Sequence, residues 1–326
     1  ATRRGHYGGA PRASGAGGST MTSTLVFEQL LNGLQFGLML FLIAAGLTLV
    51  FGIMDTMNLA HGSLYMAGAY VAARVHEASG SFALAVAVAV GATVVVAVVL
   101  EFVIIRRLYR RDHLVQVLAT FGIILIADDA VKAIWGVAPL LASTPAALAG
   151  PVDLFEGLPY PSYRLLLIGA GLAVALGLYL LVNNTRVGML VRAGASNRQM
   201  AEFMGVRVGA VFAFVFALGA GLAALAGALM APISAVQIGM GEAILIPALV
   251  VIVIGGIGSV RGAFVAALLV GLVDTAGRAF LPPALRAVLP PSVAADLGPA
   301  LAGIAMYLLM AAVLTLKPAG LFPARG

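Results

Sequence analysis

Long apolar runs broken by short polar islands govern this chain. The first run covers about Phe27 to Phe51 and stops at Met54-Asp55-Thr56-Met57-Asn58-Leu59-Ala60-His61-Gly62-Ser63. A second, short and glycine-containing, covers about Asn58 to Ala73. A third, Phe82 to Ile105, would rise roughly 36 Å as a helix, enough to cross a bilayer with some tilt. The fourth is Leu114 to Trp135, the fifth Tyr163 to Val182, and the sixth Val208 to Met230, stopped by Pro232. A seventh, Ala243 to Ile257, contains Pro247 and ends in Gly255-Gly256-Ile257-Gly258. The eighth is Ala263 to Phe280 and the ninth Ala300 to Leu316, with a Pro-rich loop read between them over 281–299. Runs this long are needed for membrane spans and not for soluble cores. The pattern predicts an all-α membrane protein, a polytopic bundle of 8–9 transmembrane or re-entrant helices with broken helices near its centre. Spans two and seven are the candidates for re-entry.

Composition strengthens this reading. The chain is 62% hydrophobic and 10% charged, against roughly 25% charged in soluble domains. Forty glycines favour close helix packing in a multi-helix bundle. The net charge of +6 is spread over loops, which points to membrane orientation and away from nucleic acid. Arg106, Arg107, Arg110 and Arg111 follow span three, and Arg186, Arg192, Arg198 and Arg207 separate spans five and six. These basic loops, with Arg261, Lys317 and Arg325, fall on one side, which should be cytoplasmic. The N-terminus then lies outside and the C-terminus inside. Residues 1–20 are rich in Gly, Ala and Ser and cannot bury enough surface to fold alone. They read as a disordered extension, with Met21 as the natural start. The permease-like domain would cover 21–322, with a tail over 323–326.

Several groups could carry chemistry. Asn58 reads as the N-cap of span two, with His61 a polar residue beside it. The same helix end could line a path and offer N–H dipoles to a carboxylate. Gly52 and Ile53 are echoed by Gly256 and Ile257, each pair ending an apolar run; such paired interruptions point to a transport route. Asn58, His61, Gly62, Gly255, Gly256 and Gly258 are therefore the candidate translocation path. Asp128 with Lys132, and Asp274 with Arg278, stand at i,i+4 and read as ion pairs. They are structural in one reading and proton carriers in another. Ser196 to Gln199 fits a capping box, Met200, Phe203 and Met204 share one helical face, and Gly205 supplies a stop. That short amphipathic helix could lie on the bilayer or dock into a partner's groove. No P-loop motif and no protease or esterase motif occurs in the sequence. No metal-ligand spacing stands out either.

Gly46-Leu47-Thr48-Leu49-Val50-Phe51-Gly52-Ile53-Met54 running into Asn58-Leu59-Ala60-His61-Gly62 resembles the branched-chain amino-acid permease family of ABC importers. So do Asn184-Thr185-Arg186-Val187-Gly188 with Arg192-Ala193, Met200-Ala201 and Met204-Gly205-Val206. The block Val253 to Ala263 and the ending Lys317-Pro318-Ala319-Gly320-Leu321-Phe322 match too. Of the family's two permease types, the chain is more similar to the LivH type. The resemblance implies a non-enzymatic transport subunit in a bacterial inner membrane. Its implied partners are a second related permease, two cytoplasmic ATP-binding subunits carrying ATP and Mg, and an extracytoplasmic substrate-binding protein. It implies no cofactor on this chain. Segment 183–207 would then hold the coupling helix, with Ala193, Gly194, Ser196, Gln199, Met200, Phe203, Met204 and Gly205 facing the ATPase. Two alternatives stay open: a proton-coupled secondary transporter, and a passive channel for a small neutral solute such as urea.

Overall fold

The computed structural model describes residues 16–54, 56, 58–109, 111–154, 159–196 and 198–322, with side chains from 24 onward except those of 195, 196 and 198. The predicted disorder of 1–20 lies outside the described residues up to 15. From Ala16 the backbone is already helical, so the first helix begins ahead of Met21. The predicted tail, 323–326, lies outside them as well.

Helices fill most of the described chain. They are α1 (Ala16–Met54), α2 (His61–Ser79), α3 (Phe82–Leu108, with a π turn over Glu101–Ile105) and α4 (His113–Trp135). Then follow α5 (Ser162–Asn184), α6 (Arg186–Ser196), α7 (Arg198–Phe203) and α8 (Val208–Met230). The last are α9 (Met240–Gly255), α10 (Val260–Arg286) and α11 (Pro291–Leu316). Between α4 and α5 a short antiparallel hairpin pairs β1 (Pro151–Asp153) with β2 (Pro159–Pro161). Among the described residues seven helices are long and apolar enough to cross a membrane: α1, α3, α4, α5, α8, α10 and α11. The chain is an all-α polytopic membrane bundle.

The run expected to be a loop over 281–299 is mostly helical. Pro282 and Pro283 lie inside the last turns of α10, and α11 opens at Pro291. A proline at the start of a helix has no N–H to waste. The ends of α10 and α11 pack on each other, and a Cβ on Gly298 would stand 2.6 Å from Pro282 Cγ. This contact holds the proline pair in helical geometry despite the backbone bonds it removes.

The bundle is organised around α1. Its residues Leu38 to Ala45 are each no more than 2% exposed, because α10, α8, α5 and α9 surround them. Small residues make this possible. A Cβ on Gly37 would stand 2.8 Å from Ala267 O, and one on Gly271 would stand 2.5 Å from Gly37 Cα. The α2–α8 crossing is built alike, with a Cβ on Gly68 2.5 Å from Ala224 Cα. The outer faces of α3 and α4 instead expose Val95, Val99, Phe102, Leu118 and Ile126, as lipid-facing surfaces do.

Two helices begin halfway through the bundle. A Cβ on Gly46 would stand 2.8 Å from Gly219 O and 3.1 Å from His61 Nε2. Gly219 is the midpoint of α8, so α2 starts at mid-depth. Gly62 meets Gly241 backbone to backbone, which places the start of α9 at the same level. The two helices the sequence marked as re-entrant are thus those whose N-termini meet inside the bundle. Most basic residues gather at one end, where α3, α10's start, α11's end and α6 converge. We call this the basic end; the start of α5 and the end of α8 mark the far end, joined by Tyr163 Oη donating to Leu229 O at 2.7 Å.

Candidate functional site

At the central joint the chain leaves α1 at Met54 and re-enters helix at His61; residues 55 and 57 lie outside the described set. Asn58 is not the N-cap. That position is Ala60, at φ −69°, with no side-chain cap. Asn58 instead folds the turn ahead of it: its Oδ1 accepts from Ala60 N at 3.1 Å, an Asx turn. Asn58 and His61 are 2% and 1% exposed, and neither lines the two cavities described below. Among the described residues Asn58 Nδ2, His61 Nε2 and Ser63 Oγ find no hydrogen-bond partner. Gly62 cannot carry a side chain, since a Cβ there would run into the Gly241 carbonyl. The joint is therefore closed by packing.

The glycine run after α9 is a second joint. Gly255 packs against the Gly262 backbone. Gly256 and Gly258 adopt φ of 98° and 80°, values open chiefly to glycine. The ending Lys317 to Phe322 folds onto this turn. Leu321 N donates to Ile254 O at 2.8 Å and Phe322 N to Gly255 O at 3.0 Å, satisfying carbonyls that a helix end leaves free. Two sequence blocks some sixty residues apart thus form one unit. Of the expected path residues, Gly258 lines a cavity; Gly255 and Gly256 serve the packing.

The open space lies elsewhere, on the side shared by α1, α5 and α10. Towards the basic end a cleft of about 1210 Å³ opens between these helices and α6. Thr48, Tyr179, Asn183, Arg192, Ser259 and Arg261 supply its polar lining. The Arg261 guanidinium sits 5.3 Å from the Tyr179 ring centroid, a cation–π distance. Towards the far end a chamber of about 430 Å³ is lined by Gln29, Asn32, Gln35, Arg164, Thr275 and Arg278, with Phe36 and Ile233 among its apolar walls. Between the two cavities Leu38, fully buried, presses on Gly171, where a Cβ would stand 2.7 Å from Leu38 Cβ. The sequence reading missed both cavities. A signal existed: Gln29, Asn32 and Gln35 recur every three residues in the first apolar run, and Arg164 follows just inside the fifth.

The segment between α5 and α8 is helical over Arg186–Ser196 and Arg198–Phe203, with residue 197 outside the described set. Thr185 caps α6, its Oγ1 accepting from Gly188 N at 3.1 Å. The expected capping box falls on the Ser196 side chain and residue 197, which lie outside the described set. Gly205 ends the segment as expected, at φ 82°, and Val206 N reaches back to Ala201 O at 3.0 Å. Val191, Gly194 and Ala201 turn inward, and Gly194 faces Ile53 of α1. Ala193, Gln199, Met200, Phe203 and Met204 turn outward, Phe203 being 85% and Met204 78% exposed. An apolar knob therefore projects from the basic end, on a segment that also touches α1 and the cleft.

The intramembrane charges are mostly committed. Asp274 takes a two-pronged bond from Arg278, at 2.8 and 2.9 Å, as expected. Lys132 bonds Asp129 at 2.9 Å rather than Asp128, because a short exposed reach at i,i+3 avoids the deeper carboxylate. Asp128 Oδ1 is left without a hydrogen-bond partner. Glu101, 1% exposed in the π turn, accepts from Arg106 at 3.2 and 3.0 Å and from the Tyr109 hydroxyl at 2.8 Å. Asp129 is exposed and Asp274 is locked by Arg278, so Asp128, Asp129 and Asp274 do not form a relay.

Comparison with known proteins agrees with this architecture. The family described as branched-chain amino acid transport system / permease component matches residues 29–314. The high-affinity branched-chain amino acid transport system permease protein BraD of Pseudomonas aeruginosa is 30% identical over 268 residues, 77% of this chain and 85% of BraD. The corresponding LivH permease of Escherichia coli K12 is 28% identical, over 78% of this chain and 86% of LivH. A probable LivH of Methanocaldococcus jannaschii is 27% identical, over 76% and 79%. No solved structure matches.

Proposed function

Because the chain belongs to the branched-chain amino acid transport system permease family, we propose that it is the membrane-spanning subunit of an ABC importer that moves branched-chain amino acids inward. The observation that carries this is the family match over 29–314, which starts within α1, ends within α11 and includes the five other membrane-length helices between them. The basic end faces the cytoplasm, by the bias of Lys and Arg toward that side. Two ATP-binding subunits dock there, a second related permease completes the membrane part, and an extracytoplasmic binding protein delivers cargo at the far end of a cell inner membrane. ATP and Mg belong to those partners.

Coupling runs through α6 and α7. Phe203 and Met204 fill a groove on the ATP-binding subunit, as an exposed apolar helix face does. Inward, the same segment touches α1 at Ile53 and walls the cleft with Val191 and Arg192. A displacement of the knob therefore reaches the α1–α5–α10 side, where Leu38 on Gly171 separates the two cavities. ATP binding supplies the differential affinity that alternating access requires. In a test, the Met200→Asp, Phe203→Asp double variant stays inserted and folded but no longer co-purifies with the ATP-binding subunits. Normal co-purification would sink the coupling assignment.

A further inference from the structure

The far-end chamber is open over much of its boundary, and its lining has the chemistry of a small amphiphilic binding site. Its volume of about 430 Å³ falls within the roughly 300–1,000 Å³ of small-molecule pockets. One part of its wall is polar, formed by Gln29, Asn32, Arg164 and Arg278, and another is apolar, with Phe36 and Ile233. The two arginines differ in how their charge is spent. Arg278 is neutralised by the two-pronged bond to Asp274. Arg164 donates to Asn32 Oδ1, a neutral acceptor, and among the described residues no carboxylate forms an ion pair with it. Asn32 is itself fixed by the Tyr160 hydroxyl at 3.0 Å, and Tyr160 is fully buried beneath the hairpin. The guanidinium is thus held in place by a neutral, anchored partner while its charge remains available.

We propose that this chamber is a substrate site in which Arg164 grips the α-carboxylate of an amino acid. Asn32 and Tyr160 position the guanidinium, and the aliphatic side chain of the cargo lies against Phe36 and Ile233. A planar fork matches a carboxylate in two parallel bonds, which a lysine cannot reproduce. The chamber lies on α1, α5 and α10, on the same side as the basic-end cleft, so cargo held there stands at the entry to that cleft across the Leu38–Gly171 contact. This inference rests on the importer reading and adds the residue that recognises the cargo.

The test uses the complete transporter in proteoliposomes, with its ATP-binding subunits and saturating binding protein. Uptake of leucine is compared with uptake of urea and of short amides. Arg164→Gln lowers ATP-driven leucine uptake by about ten- to hundredfold, the range for a hydrogen bond to a charged group. Arg164→Lys restores part of the loss. Ala279→Trp, which fills the chamber and leaves Arg164 intact, blocks uptake as well, so a folding defect in one variant does not decide the matter. Leucine uptake unaltered by Arg164→Gln and by Ala279→Trp overturns the chamber assignment alone. So does a wild type that carries only carboxylate-free solutes. A wild type with no ATP-driven uptake of any solute removes the importer reading, and this inference with it.

Discussion

The meeting of α2 and α9 at Gly62 and Gly241 offers a perturbation whose size the structure sets. A Cβ on Gly241 would stand 2.6 Å from Gly62 C and closer still to Gly62 O, against 3.4 Å where ordinary contact begins, so the helices must part by at least about 0.8 Å (3.4 − 2.6) in Gly241→Ala. Both groups are backbone and cannot rotate away. Overpacking of this kind costs about 1–3 kcal/mol. The control is Gly91→Ala on the exposed face of α3, where nothing lies within 4 Å of an added Cβ. There alanine gains helix propensity, about 0.5–1 kcal/mol. Thermal unfolding of the purified chain in nanodiscs separates the two: Gly241→Ala melts lower than wild type, and Gly91→Ala melts at or above it. Transport falls with Gly241→Ala by more than the lost folded protein accounts for, because the mid-depth helix starts shift against α1. Equal melting of the two variants would refute the claim that the helices touch through their backbones.

Other outcomes follow from single contacts. Asp274→Asn leaves Arg278 charged and half-exposed at the chamber with its fork broken; it costs about 1–2 kcal/mol in unfolding measurements, at the low end for a charged hydrogen bond because Arg278 is partly solvated. Gly320→Val forces a β-branched residue into φ of 82°, and its Cβ would stand 2.6 Å from Gly256 Cα. It releases the ending from α9, which limited proteolysis detects as faster chymotryptic cleavage after Leu321.

The sequence disclosed the elements whose borders carry strong punctuation. Span six ran from Val208 to Met230 and α8 has those bounds, because Arg207 precedes it and Pro232 follows closely. Prolines misled at α10, where Pro282 sits in helix because Gly298 gives it a place to pack, a tertiary fact no local pattern carries. Asn58 reads as an N-cap in the sequence and forms an Asx turn instead: both use the same side-chain oxygen, and only the position of Ala60 distinguishes them. Gly255 to Gly258 and Lys317 to Phe322 were legible as motifs, but their mutual docking was not, since it is a pairing across two intervening helices. The chamber was missed because Arg164, Asn32 and Arg278 come from three separate helices.

The central claim is that this chain carries solute only as part of an ATP-driven assembly. Its most direct test is leucine accumulation in proteoliposomes holding the chain, its permease partner and the ATP-binding subunits, with binding protein and ATP on their proper sides. The account predicts concentrative uptake that requires ATP and every partner, and that survives collapse of the proton gradient. Uptake by the chain alone, whether abolished by collapsing that gradient or indifferent to ATP, would contradict it.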